Sequence, residues 1–175
     1  MKRIILTLLS AAILFGVSGA RAQFVFCKIE GQKQGVIRSE NPAKGLKDFI
    51  PILSIAGGVR TPFDPASGHA SGKRQHQPLV LVKNLDKASP KLFLAAVTQE
   101  NLKRVICDFR RDVENGTTQP YFRIELSDAR IVESDINGNG LVNQGVRETV
   151  QMTFEKITLE DLIGGTVAED DWSER

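Results

Sequence analysis

Apolar and polar positions alternate in several stretches of this chain with the period of two that marks half-buried β-strands, and one stretch reads instead as a helix. Phe24, Phe26 and Lys28 alternate with Val25, Cys27 and Ile29 up to Gly31, which predicts a first strand. Residues from Gln32 to Lys47 are polar and punctuated by glycine. Phe49 to Ile55 reads as a second strand, confined to an edge or a bulge because Pro51 has no N–H for a ladder, and Gly57-Gly58 marks its end or a kink. In the third strand, Pro78 to Leu85, four apolar residues stand in a row and leave it apolar on both faces. Val105, Cys107 and Phe109 alternate with Ile106, Asp108 and Arg110, and Asn115-Gly116 supplies a hairpin turn before a strand from Tyr121 to Leu126. A strand from Ala129 to Ile136 meets the turn Asn137-Gly138-Asn139-Gly140, and a long last strand runs from about Gln144 to Ile157. The acidic end, Glu169-Asp170-Asp171, is expected to fray.

The exception begins at Ser89-Pro90, with Ser in the N-cap place and Pro at the first helical position, where its missing N–H costs nothing. The predicted helix runs to about Glu100. Leu92 to Val97 leave it apolar nearly all round, so burial on more than one side is expected, and a subunit partner could supply the second side. Seven or so short strands, tight turns and one helix make a mainly β sandwich or barrel.

Between the second and third strands, Thr61 to Gln75 holds Pro62, Pro65, Gly68 and Gly72 among small and polar residues. A loop of this length without structure of its own usually binds something or is disordered. It closes on the basic cluster Lys73-Arg74-Gln75-His76, which reads either as a rim against an acidic surface or as an ordinary solvated loop end.

The first 22 residues form a separate unit. Lys2 and Arg3 precede an uncharged run from Ile4 to Val17, and Ala20-Arg21-Ala22 offers the small-x-small pattern of a signal peptidase site, so cleavage after Ala22 is expected. A 14-residue helix spans about 21 Å, short of the ~30 Å hydrocarbon core, which disfavours a transmembrane anchor. Residues 23–175 then form one exported domain with no stable membrane insertion. Removing Lys2, Arg3 and Arg21 leaves 20 basic residues against 21 acidic ones, and a chain so near neutrality lacks the clustered positive charge a nucleic-acid partner requires. Export also places Cys27 and Cys107 in an oxidising compartment, where they form one disulfide or remain two small buried hydrophobes.

Candidate catalytic patterns are incomplete. Asp135-x-Asn137-x-Asn139-Gly140 matches the first half of a calcium loop, but position twelve, which needs a bidentate Glu, is Val146. His69 and His76 lack a third ligand at a recognisable spacing. Asp64, Ser67 and His69 supply the residue types of a hydrolytic triad without a visible oxyanion hole or a rigid base. No phosphate-binding or dinucleotide motif occurs, Asn115-Gly116-Thr117 is a formal glycosylation acceptor, and no metal or cofactor is expected.

The run from Gly72 to Phe93, with its Lys83-x-x-Asp86-x-x-Ser89-Pro90-x-Leu92-Phe93 core, closely resembles the haemolysin-coregulated protein (Hcp) family, the tube subunits of bacterial type VI secretion systems. Phe24 to Gly31, Phe49 to Gly58 and Glu148 to Ile157 resemble further strands of that family, and the likeness covers roughly residues 24 to 160. The resemblance implies a β-barrel of two antiparallel sheets with one flanking α-helix, hexameric rings stacked into a hollow tube, and type VI sheath, spike and effector proteins as partners. It implies a structural protein and no enzyme. It also implies that the long loop reaches a neighbouring subunit or ring, which makes Thr61, Pro62, Phe63, Lys73, Arg74 and His76 candidate interface residues. The leader departs from the family pattern, whose tube subunits are typically made without a cleaved signal peptide. An exported stand-alone binding or adhesion protein with the same fold is therefore the alternative.

Overall fold

The computed structural model describes residues 23–40, 45–113, 117–138 and 145–172. The leader Met1 to Ala22 and the turn Asn115-Gly116 lie outside them, as do Asn139 and Gly140 of the half calcium loop.

Among the described residues, ten strands and one helix follow in the order β1 (Gln23–Gly31), β2 (Gly35–Ile37), β3 (Ile50–Ile52), β4 (Ser54–Arg60), β5 (Gln75–Asn84), α1 (Ser89–Val97), β6 (Leu102–Val113), β7 (Thr117–Asn137), β8 (Arg147–Thr153), β9 (Lys156–Asp161) and β10 (Val167–Asp171). Every strand pair is antiparallel. The main hydrogen-bonded path runs β2-β1-β6-β7-β8-β5-β4, with β3 beside β2 on the same edge of β1 and β9 and β10 branching from β7. The fold is mainly β with one helix, as the residue pattern predicts. The sheet is not closed, however: the path ends at β2 and β4, the branch ends at β10, and no ladder joins β4 to β10 among the described residues.

Two sheets arise because β7 belongs to both. Its first half pairs with β6 and β9, and its second half with β8. The sequence pattern predicts two strands here, Tyr121–Leu126 and Ala129–Ile136, but one 21-residue strand runs through both. The break in alternation is Asp128, which takes a left-handed φ of 50° that Asp tolerates better than most residues, and its carboxylate accepts a 2.7 Å hydrogen bond from Asn101 Nδ2. The strand changes sheet there without ending.

Three other expectations need correction. The last strand divides into β8 and β9 because the chain crosses between sheets at Phe154-Glu155, and Phe154 turns into the core while Glu155 N–H donates to Ser127 O at 3.2 Å. The second strand divides at Leu53, so that Pro51 sits in the short edge strand β3 against Phe26, while β4 joins the other sheet. The acidic end is not frayed: Glu169, Asp170 and Asp171 are part of β10, paired with β9.

The helix is shorter than the expected Pro90–Glu100. It ends where Gln99 adopts a φ of 50° and Glu100 turns inward. The Glu100 carboxylate accepts from the backbone N–H of Lys33 (2.6 Å) and Gln34 (2.9 Å) and from Gln34 Nε2 (2.9 Å), fastening the β1–β2 turn. Although burial opposes it, these hydrogen bonds hold the Glu100 carboxyl below its usual range. A Cβ at Gly31 would stand 2.5 Å from Glu100 Oε1, so a larger residue there would push the carboxylate off these bonds. Between the sheets lies an apolar core that includes Ile29, Ile50, Leu81, Leu92, Leu102, Leu126 and Met152.

Candidate assembly site

Beyond Arg60 and Gln75, the last paired residues of β4 and β5, the long loop continues as a narrow hairpin. Phe63 bridges Ala70, Ser71 N–H donates to Pro62 O (2.9 Å) and Asp64 N–H donates to His69 O (2.9 Å). At the tip, Asp64 accepts from Ala66 N–H at 3.0 Å and from Ser67 Oγ at 2.8 Å, and these bonds keep its carboxyl below the usual range. Asp64 and Ser67 thus build a turn rather than a triad, and the bonds at His69 run through its main chain. The hairpin presents Phe63 to solvent with 64% of its surface exposed.

The root of the hairpin is fastened to the opposite sheet. Arg74 Nε donates to Asp170 Oδ2 at 2.5 Å, and the His76 ring nitrogen Nε2 bonds the same carboxylate at 2.5 Å. Arg74 Nη2 also donates to Asp171 O (3.1 Å). With Arg74 and then His76 bonded to it, the Asp170 carboxyl is pulled down to about 2. The His76 ring packs edge-on to Phe154 (5.4 Å between centroids) and tilted against Trp172 (5.7 Å). Of the basic cluster, Arg74 and His76 are therefore joined in one clamp between β5 and β10. Sequence reading missed Asp170 because its acidic run lacked apolar alternation to mark a strand.

Behind the clamp the sheets splay apart. The open side between β4 and β10 is a cleft of about 650 Å³, lined by Ile55, Leu79, Phe109, Ile124, Ile157 and Leu159 among others, with Arg74, His76 and Asp170 at its rim. Lys73 adjoins that rim.

The motif that carries the family resemblance is a buried ion network. Lys83 and Glu148 are each 1% exposed. Lys83 Nζ donates to Asp86 Oδ1 (2.9 Å), Glu148 Oε2 (3.0 Å), Ser89 Oγ (3.0 Å) and Asn84 O (2.7 Å). Ser89 Oγ in turn donates to Glu148 Oε2 at 2.5 Å. Ser89 is consequently not the expected N-cap: it is the first residue of α1, Ala88 holds the cap position, and the hydroxyl faces inward. Asp86, held below its usual range by Ser39 and Lys83 despite the opposing effect of burial, accepts instead from Ala88 N–H. This network fixes the start of the helix, whose far face leaves Phe93, Leu94 and Val97 exposed. The signal was present in the sequence, since Lys83 continues the inward series Leu79-Leu81 and Glu148 that of Val150-Met152.

Cys27 and Cys107 are direct partners across β1 and β6, both fully buried, with Cα atoms 4.1 Å apart and a disulfide between them. Asp135 and Asn137 lie on β7. Among the described residues no group of three or more His, Cys, Asp or Glu side chains converges as a metal set, and no helix is long and apolar enough to cross a membrane.

The comparisons agree with this architecture. A family model described as "Type VI secretion system effector, Hcp" matches residues 26–160. The "Major exported protein" of Pseudomonas aeruginosa PAO1 is 33% identical over 161 residues, covering 84% of this chain and 94% of that protein. A crystal structure of an Hcp protein superposes with a TM-score of 0.81 at 29% identity, covering 86% of this chain and all of the other. The secreted protein Hcp3 from Pseudomonas aeruginosa gives 0.71 at 29% identity, covering 86% and 99%. An open two-sheet β fold, the buried Lys83-Asp86-Ser89-Glu148 network and a family match across the body of the domain make this chain a member of the Hcp family of type VI secretion proteins.

Proposed function

We propose that this protein is a structural, ring-forming subunit of a type VI secretion system, with hexamers stacking into a hollow tube that carries effectors and meets sheath and spike proteins. The observation that carries the reading is the family match over residues 26–160. The ordered hairpin at Thr61, Pro62 and Phe63 and the exposed apolar face of α1 support it, since both are surfaces a solitary domain would expose at a cost. Ring closure needs a heterologous interface, one patch meeting a different patch of the next subunit. The hairpin, with Lys73, Arg74 and His76 at its root, supplies one such patch. Its chemistry is mechanical, and no residue is assigned a catalytic role.

The leader pattern at Met1 to Ala22 supports a second reading, an exported stand-alone binding or adhesion protein that keeps the fold without the tube. In both readings the chain is exported and cleavage leaves Gln23 first. Light scattering on a sizing column, applied to the chain from Gln23 at tens of micromolar, separates them: a hexamer is expected for the tube subunit, and a strict monomer overturns that reading in favour of the second.

A further inference from the structure

Gln23 opens β1 and pairs with Arg111 of β6, and the ladder continues from there in register to the Cys27–Cys107 disulfide. Cleavage after Ala22 therefore leaves no overhang, and the new terminus is itself a strand residue. The Gln23 side chain is exposed, and its amide is bonded to no described residue. Across the ladder the Arg111 guanidinium lies 5.8 Å from the Tyr121 ring centroid, which keeps a cation opposite the new α-amine. An α-amine titrates near neutrality, at about 7.7–8.0, and a like charge beside it favours the neutral form, which is the nucleophile. A terminal glutamine carries its own electrophile, because N, Cα, Cβ, Cγ and Cδ close an unstrained lactam ring.

We infer that Gln23 is a modification site, which cyclises to pyroglutamate once the leader is removed. The α-nitrogen attacks Cδ of the side-chain amide, the N–Cδ bond forms and the Cδ–Nε2 bond breaks. Ammonia leaves with a proton from the α-amine, and no oxidant, reductant or cofactor is consumed. The lactam nitrogen keeps one N–H, as any strand residue has, so the ladder with β6 loses no donor. The charge facing Arg111 disappears. So does the free ammonium that aminopeptidases grip, which shields from trimming the strand that carries Cys27. The inference rests on the cleavage after Ala22 read above and goes beyond it to the fate of the terminus.

Intact mass and amino-terminal sequencing test this on the full chain, exported by an expression host and purified from its periplasm. The folded protein is incubated at neutral pH until a synthetic peptide of residues 23–26 has cyclised completely. The expected parent chain starts at residue 23, is lighter by one ammonia and is closed to sequencing, with the missing mass located in the tryptic peptide of residues 23–28. A Gln23→Ser variant is expected at full mass and open to sequencing. A parent that still carries a free Gln23 amine when the peptide has converted overturns the inference and leaves the leader reading standing. A Gln23→Ser chain that is blocked as well does the same, since the block then lies elsewhere than the glutamine amide. A chain that retains residues 1–22, or begins at a residue other than Gln23, overturns the cleavage reading, and the inference with it.

Discussion

Lys83 and Glu148 occupy inward positions that alternation reserves for apolar side chains, and the structure meets their charges with each other, with Asp86 and with the Ser89 hydroxyl. Deleting one charge strands the other. Lys83→Met is therefore expected to cost about 3–5 kcal/mol in urea unfolding, the range for a buried pair broken from one side. The double change Lys83→Met with Glu148→Leu should recover most of that loss, because an apolar pair of similar volume needs no ionic partner. A single variant within 1 kcal/mol of the parent, by the same measurement, would show that the network does not hold the helix start. At this scale the sequence was informative about identity and silent about reason: the Lys-x-x-Asp-x-x-Ser-Pro spacing was visible, but the fourth member, Glu148, lies far along the chain and is brought in only by the β5–β8 register.

Strand alternation located most elements and misplaced their boundaries wherever a strand changed sheets. Asp128 breaks the period within β7 yet the strand continues, whereas Phe154-Glu155 keeps the period while the ladder partner changes from β5 and β7 to β7 and β10. Periodicity reports which face a residue occupies, and it carries no information about which sheet owns that face. The edge strand β10 was lost for a different reason: its residues are acidic, and its place depends on the distant Arg74 and His76. That clamp gives a pH prediction. The Asp170 carboxyl is depressed to about 2 in the folded chain against about 3.9 unfolded. A depressed carboxyl stabilises fully above the unfolded value and loses its contribution as pH falls through the folded one. Asp170→Asn should thus lower the denaturation midpoint at pH 5, with the gap to the parent shrinking between pH 4 and pH 2. A gap of constant size across that range, followed by Trp172 emission, would place the stabilisation elsewhere.

For the molecule as a whole, the covalent cross-link matters more than any surface ion pair. Cys27 and Cys107 are 80 residues apart in sequence, and closing a loop of that length restricts the unfolded chain severely. Unfolding in urea with reductant present should show a stability lower by about 2–4 kcal/mol than without it. Equal midpoints would mean that the thiols are not bridged in the purified protein. The sequence left bridge and buried thiols as equal alternatives, because spacing alone does not report whether two strands are neighbours. The fold resolves their placement by setting β1 directly against β6.

That placement also sets a clock. β1 is the first described strand to be synthesised, and its ladder partner follows only after the hairpin, β5 and α1. At about 5–20 residues per second, the 80 residues between the two cysteines take about 4–16 s to appear. Throughout that interval β1 lacks its longest ladder partner, and pairing between such distant segments is slow even once both exist. Delay of this kind is a hazard for a protein that must fold where it is made, and an opportunity for one that must be threaded through a membrane before it folds. If the leader proposed for residues 1–22 routes the chain to a translocase, this order of strands is expected to leave the nascent polypeptide open for that passage.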